Sequence, residues 1–187
     1  MPHRPKVKDD TLLDALLGVF CMHGYEGASL SLISEATGLQ RASLYHRFPG
    51  GKAEMAVAVL ARVHAQFSEH VLAPLFEAGD PILRVARTAE RLSAFYGRGA
   101  RSCLLETLSL GEPDPVVRDA VERCFEAVLG AFSAVAREAG ATRTAARRRA
   151  EEAVARYQGA LVLARGSGDL KPFQRALAAL PELITGE

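Results

Sequence analysis

Residues 29–52 read SLSLISEATGLQRASLYHRFPGGK, two short apolar-periodic segments closed by Gly38 and by Pro49. This punctuation constrains the chain more than any other feature. Ser29 is suited to cap a helix over about 30–37, with Leu30, Ile33 and Ala36 facing inward. Gly38 can take a positive φ, which permits a tight turn. A second helix then starts near Gln40 and must stop at Phe48, because Pro49 cannot continue it. Leu44 and Phe48, four apart, point to the core.

The rest of the chain reads as helix throughout. Leu13, Leu16, Leu17 and Phe20 place a first helix over about 9–23, stopped by Gly24. A long helix begins near Lys52, with Met55, Val59, Val63, Phe67 and Val71 in its apolar stripe. Asp80-Pro81 and Asp114-Pro115 each pair a cap with proline at the first helical position. Segments 142–168 and 169–183 close the chain. The core is built from Ala, Leu and Val, with 6% aromatics and no Trp, a helix-forming composition. No β-alternating run survives inspection, so the expected fold is all-α. It comprises an N-terminal three-helix domain over 1–52 and a helical body over 53–187.

Several function classes find no support. No apolar run approaches the ~18 residues of a membrane span. The start MPHRPKVKDD lacks the apolar core of a signal peptide, which points to the cytoplasm. Cys21, Cys103 and Cys124 have no CxxC spacing, and His64 and His70 fall on different helix faces, so no metal or cofactor is implied. No phosphate loop, nucleophile elbow or zinc-protease motif is present, so an enzyme is not expected.

The net charge of +1 is no polyanion signature. The local distribution is more telling. From 40 to 52 the only charged residues, His aside, are Arg41, Arg47 and Lys52, whereas Asp9, Asp10 and Asp14 sit on the first helix. Two short helices joined by a tight Gly-containing turn make a helix-turn-helix, whose second helix enters the DNA major groove. Gln40, Arg41, Ala42, Ser43 and His46 are then the candidates for base edges; Arg suits guanine and Gln suits adenine. Ser29, Tyr45, Arg47 and Lys52 are the candidates for phosphates, together with the N–H groups at the start of the fourth helix.

The same residues carry a resemblance. Phe20, Gly24, Tyr25, Ser29, Ile33, Ala36, Gly38, Leu39, Leu44, Tyr45, Phe48 and Lys52 reproduce the pattern of the DNA-binding domain of TetR-family transcriptional regulators. SLYHRFPGGK, SCLLETLSLG and GDLKPFQRALAALPEL further resemble the LmrA-like multidrug-resistance repressor subgroup. The resemblance implies a homodimeric repressor on palindromic operator DNA, released by a small-molecule inducer bound in the C-terminal body. Gln40 stands where the family has a capping Ser, Arg47 where it has a His, and PGGK is one residue longer than usual.

Phe67, Phe76, Phe95, Tyr96, Leu104 and Phe125 are candidates to line an apolar ligand cavity. Helix 142–165 is apolar around its circumference and the last helix is rich in Leu, so Tyr157, Leu161, Phe173 and Leu177 are expected at a dimer interface. The alternative function is a thiol-based redox sensor using Cys103, with Arg101 to activate it.

Overall fold

The structure, a computed structural model, describes residues 9–186; the N-terminal bases Arg4, Lys6 and Lys8 lie outside that range. The helices are α1 (Asp9–Gly27), α2 (Leu30–Thr37), α3 (Arg41–Arg47), α4 (Gly51–Phe67), α5 (Pro81–Phe95), α6 (Leu104–Leu108), α7 (Pro115–Glu138), α8 (Arg143–Ser167), α9 (Lys171–Ala178) and α10 (Leu180–Thr185). A π-helical turn over Ser68–Leu72 and a 3-10 turn over Ala73–Phe76 follow α4. No strand occurs among the described residues, so the chain is all-α. Compactness divides it differently from the boundary expected at 52/53. One unit runs to Val63 and includes Leu104–Val121; the other holds His64–Cys103 and the residues from Glu122 on.

In the first unit Leu12, Leu16, Val19 and Phe20 of α1 are buried with Ile33, Leu44, Met55 and Val59. The first run of α1 stops at Gly24, as expected. Gly24 (φ 66, ψ −173) breaks the helix with a kink, and a short helical turn follows to Gly27. A Cβ at Gly24 would sit 3.2 Å from the Thr107 carbonyl oxygen, so any side chain there would press α1 against the α6 backbone, at a φ that favours glycine. The acids of α1 are matched from within the unit. Arg62 donates to the Asp14 carboxylate and lies 4.0 Å from that of Asp10, and Arg47 pairs with Asp9.

In the second unit Phe132, Tyr157, Leu161, Phe173, Leu180 and Ile184 are buried. Thr142 caps α8 by accepting from the Ala145 N–H at 3.3 Å, and Gly168 (φ 72) ends it. The expected single helix over 169–183 is two, α9 and α10, because Pro181 can enter a helix only in its first turn. Arg84 of α5 is 3% exposed. It donates to the Leu75 carbonyl at 3.2 Å, to the Glu77 carbonyl at 2.7 Å and to the Glu138 carboxylate. Its guanidinium therefore ties α5 and α7 to the end of the 3-10 turn. Arg84→Ala takes this donor from the Leu75 and Glu77 carbonyls, while the exposed Glu138 carboxylate meets water, and is expected to cost about 2–3 kcal/mol, measurable by chemical denaturation.

Candidate nucleic-acid interface

The two short helices form as their termini dictate. The Ser29 hydroxyl accepts from the Leu32 N–H at 3.2 Å and caps α2. Thr37 takes the inward place expected for Ala36, which is exposed; the Thr37 hydroxyl donates to the Ile33 carbonyl at 2.7 Å and accepts from the Leu39 N–H at 3.3 Å. Gly38 (φ 66, ψ 12) supplies the left-handed turn. Gln40 precedes α3 in extended conformation with no side-chain cap bond, so its amide is not spent on the helix terminus. Leu44 anchors α3 inward. The Phe48 N–H bonds the Leu44 carbonyl at 2.8 Å, and Pro49 ends the run.

Around that anchor, Gln40, Arg41, Ala42, Ser43 and His46 are all exposed. Tyr45 is exposed as well, and the edge of its ring lies 3.3 Å from where a Cβ of Gly51 (φ 66) would stand. Gly51 thus lets the aromatic ring lie against the start of α4. Arg47 is half-buried and pairs with Asp9 at 3.0 Å.

Two expectations for the start of α4 change. The Glu54 carboxylate accepts from the Gly50 N–H at 2.7 Å, so the chain's own acid occupies ground expected for a phosphate. The Lys52 ammonium donates to the Tyr25 carbonyl at 2.8 Å and sits 4.4 Å from the centroid of the Tyr25 ring. It fastens the segment beyond the Gly24 kink, a role that no local pattern announced. Burial, then Asp114, raises the Tyr25 phenol above its ordinary value.

In the second unit Phe67 meets Phe95 edge-on at 5.1 Å, and Tyr96 joins Phe95 at 5.2 Å, Phe173 at 6.2 Å and Tyr157 at 6.4 Å. Three of the six candidate ligand residues, Phe67, Phe95 and Tyr96, therefore belong to one aromatic cluster. Phe76 does not share their burial; it is 70% exposed. Leu104 belongs to the first unit, and Phe125 of α7 is half-buried. A cavity of about 520 Å³ lies in the first unit, lined by Leu108, Pro113, Arg118 and Val121 among others, and uses none of the six.

The interface candidates are corrected. Tyr157, Leu161, Phe173 and Leu177 are all buried inside the protomer, where they close its own core. Helix α8 instead leaves Val162 and Leu163 exposed.

Cys103 does not have the exposed thiol that a redox sensor needs. It is 3% exposed, and its Sγ accepts from the Tyr96 hydroxyl at 3.4 Å and from Gln158 Nε2 at 3.3 Å. Burial, then Cys103 and Tyr157, pushes the Tyr96 phenol well up, and burial pushes Tyr157 up too, so both stay protonated and Tyr96 remains a donor.

A capped α2, a left-handed glycine turn and an α3 anchored by one buried Leu, with its polar face outward, define a helix-turn-helix DNA-binding protein. Comparison with known proteins places it more closely. Residues 12–59 match the model of bacterial regulatory proteins of the tetR family, and residues 85–179 match that of the LmrA/YxaF-like transcriptional regulator C-terminal domain. The chain belongs to the TetR family of transcriptional regulators, with an LmrA/YxaF-like C-terminal domain. It is 22% identical over 182 residues to the HTH-type transcriptional regulator LmrA of Bacillus subtilis, covering 94% of this chain and 95% of that one. Over 74 residues, 39% of this chain and 35% of the other, it is 42% identical to the HTH-type transcriptional repressor ComR of Escherichia coli. A TetR transcriptional regulator from Legionella pneumophila shares the fold, with a TM-score of 0.82 at 17% identity, over 96% of this chain and 98% of that one. A cysteine mutant of the TetR-family regulator CifR, complexed with 26 bp double-strand operator DNA, matches with a TM-score of 0.75 at 26% identity, over 97% and 98% of the two chains. No helix among the described residues is long and apolar enough to cross a membrane.

Proposed function

We propose that this protein is a cytoplasmic transcriptional repressor that binds palindromic operator DNA as a homodimer and is released by a small hydrophobic inducer. Residues 1–52 serve DNA binding, and 53–187 serve ligand binding and dimerisation. The observation that carries the reading is the outward face of α3: Gln40, Arg41, Ser43 and His46 exposed about a buried Leu44, with no acid from 40 to 52. The CifR complex with operator DNA and the repressor named among the relatives support it. In this reading Arg41 and Gln40 address bases. Ser29, Tyr45 and Arg47 address phosphates, and Asp9 holds Arg47 in place until a phosphate competes for it.

Selection of bound sequences from a random DNA pool tests the reading. Recovery of palindromes with half-sites about one helical turn or more apart is expected. Recovery of only asymmetric or featureless sequences would overturn it. Arg41→Ala is expected to relax preference at one base position and to cost about 1–3 kcal/mol on the preferred site. Tyr45→Phe should weaken all sequences alike, because a phosphate contact carries no sequence information. Competition binding against single-base variants separates the two.

A further inference from the structure

Arg41 is not left loose on the surface. Its Nη2 donates to the Ser31 hydroxyl at 2.8 Å, across the turn from the first residue of α3 to the first turn of α2. Ser31 is exposed, and the cap of α2 is Ser29, so the Ser31 hydroxyl is not needed to terminate the helix. An arginine side chain has several rotatable bonds, and fixing it at an interface costs affinity. A partner that holds it in the free protein removes part of that cost.

The geometry also leaves the arginine competent. The two hydrogens on Nη2 belong to different donor edges of the planar guanidinium, one shared with Nε and one with Nη1. A single bond to Ser31 therefore occupies one edge and leaves the other complete. One intact edge is what a two-point contact to guanine requires.

We propose that Ser31 is a positioning residue for base readout: it holds the Arg41 guanidinium on α3 with one donor edge free, and so sets preference for a guanine at one position of each half-site. The proposal rests on the DNA-reading role given to Arg41 above.

The test measures affinity of the full-length protein for its selected operator and for variants at each base pair, with wild type, Ser31→Ala, Ser31→Thr, Arg41→Ala and the double variant Ser31→Ala/Arg41→Ala. Ser31→Ala is expected to lower affinity for the preferred site about three- to tenfold. The loss should fall at the base position that Arg41→Ala relaxes. Ser31→Thr, which keeps the hydroxyl, should restore the preference. In the Arg41→Ala background Ser31→Ala should do nothing further. Uniform weakening of all sequences by Ser31→Ala, or additive losses in the double variant, would overturn the proposal while leaving Arg41 a reader. If Arg41→Ala itself changes no base preference, the reading of Arg41 falls first.

Discussion

Leu163→Glu is expected to give a folded monomer that binds operator about 10²- to 10⁴-fold more weakly, whereas Leu161→Glu is expected to give no folded protein. The two residues are neighbours in sequence and opposite in environment. Leu161 is 0% exposed and Leu163 is 61% exposed in the single protomer. A carboxylate at 161 would enter the core that Tyr157 and Phe173 also fill, and an unpaired buried charge costs several kcal/mol or more. That is comparable with the whole stability of a typical domain, about 5–15 kcal/mol. A carboxylate at 163 meets no such core. It would stand beside Val162, the other large apolar side chain exposed on α8, and oppose its burial against a second copy. A dimer places two α3 helices on one palindrome, so the second half-site is met at high effective concentration; a monomer loses that gain. Light scattering gives the mass, circular dichroism the fold, and operator titration the affinity. A Leu163→Glu protein that is still dimeric would move the interface off this face of α8.

The contrast also marks how far the sequence could be read. Periodicity and punctuation sufficed for the all-α class, for the Ser29 cap, the Gly38 turn and the end of α3 at Phe48, because each depends on residues within one turn of one another. They sufficed equally for the exposed face of α3, since Leu44 alone fixes which side is inward. Contacts from distant parts of the chain were not legible. Lys52 sits on Tyr25, Arg47 on Asp9 and Arg41 on Ser31, and nothing local in PGGK or YHRF announces those partners. The apolar run at the end of α8 is ambiguous for a similar reason. Leu161, Val162 and Leu163 follow one another, and the pattern does not say which of them the chain itself covers; Leu161 is buried, and Val162 and Leu163 are exposed. Cys103 is a third case: GARSC suggested an activating arginine, yet the groups on its sulfur come from Tyr96 and from Gln158, 55 residues away.

Phe67→Ala is expected to destabilise the protein by about 3–5 kcal/mol, and Phe67→Leu to keep the fold while changing the response to an inducer. Phe67 is buried against Phe95 and Tyr96, so truncation to Ala opens a ring-sized void in a packed cluster. Leu fills most of that void but lacks the ring edges. The residue also ends α4, an uninterrupted helix of 17 residues and therefore about 25 Å long, immediately before the π-helical turn at Ser68–Leu72. At its other end Gly51 meets the edge of the Tyr45 ring of α3. In the proposed release, a compound that prises the aromatic cluster apart displaces Phe67 at the end of α4. Such a compound releases operator only if it binds the displaced state better, and DNA must then weaken the compound by the same factor. With apolar and aromatic compounds, wild-type operator affinity is expected to fall about 5- to 150-fold, the usual range of such coupling. Phe67→Leu should alter that factor and leave compound-free operator binding within about twofold, since a swap that keeps the fold does not touch α3. Calorimetry identifies the compounds that bind, and operator titration in their presence reads the coupling. If every compound that binds leaves operator affinity unchanged, release by a hydrophobic inducer is wrong, and the aromatic cluster is core alone.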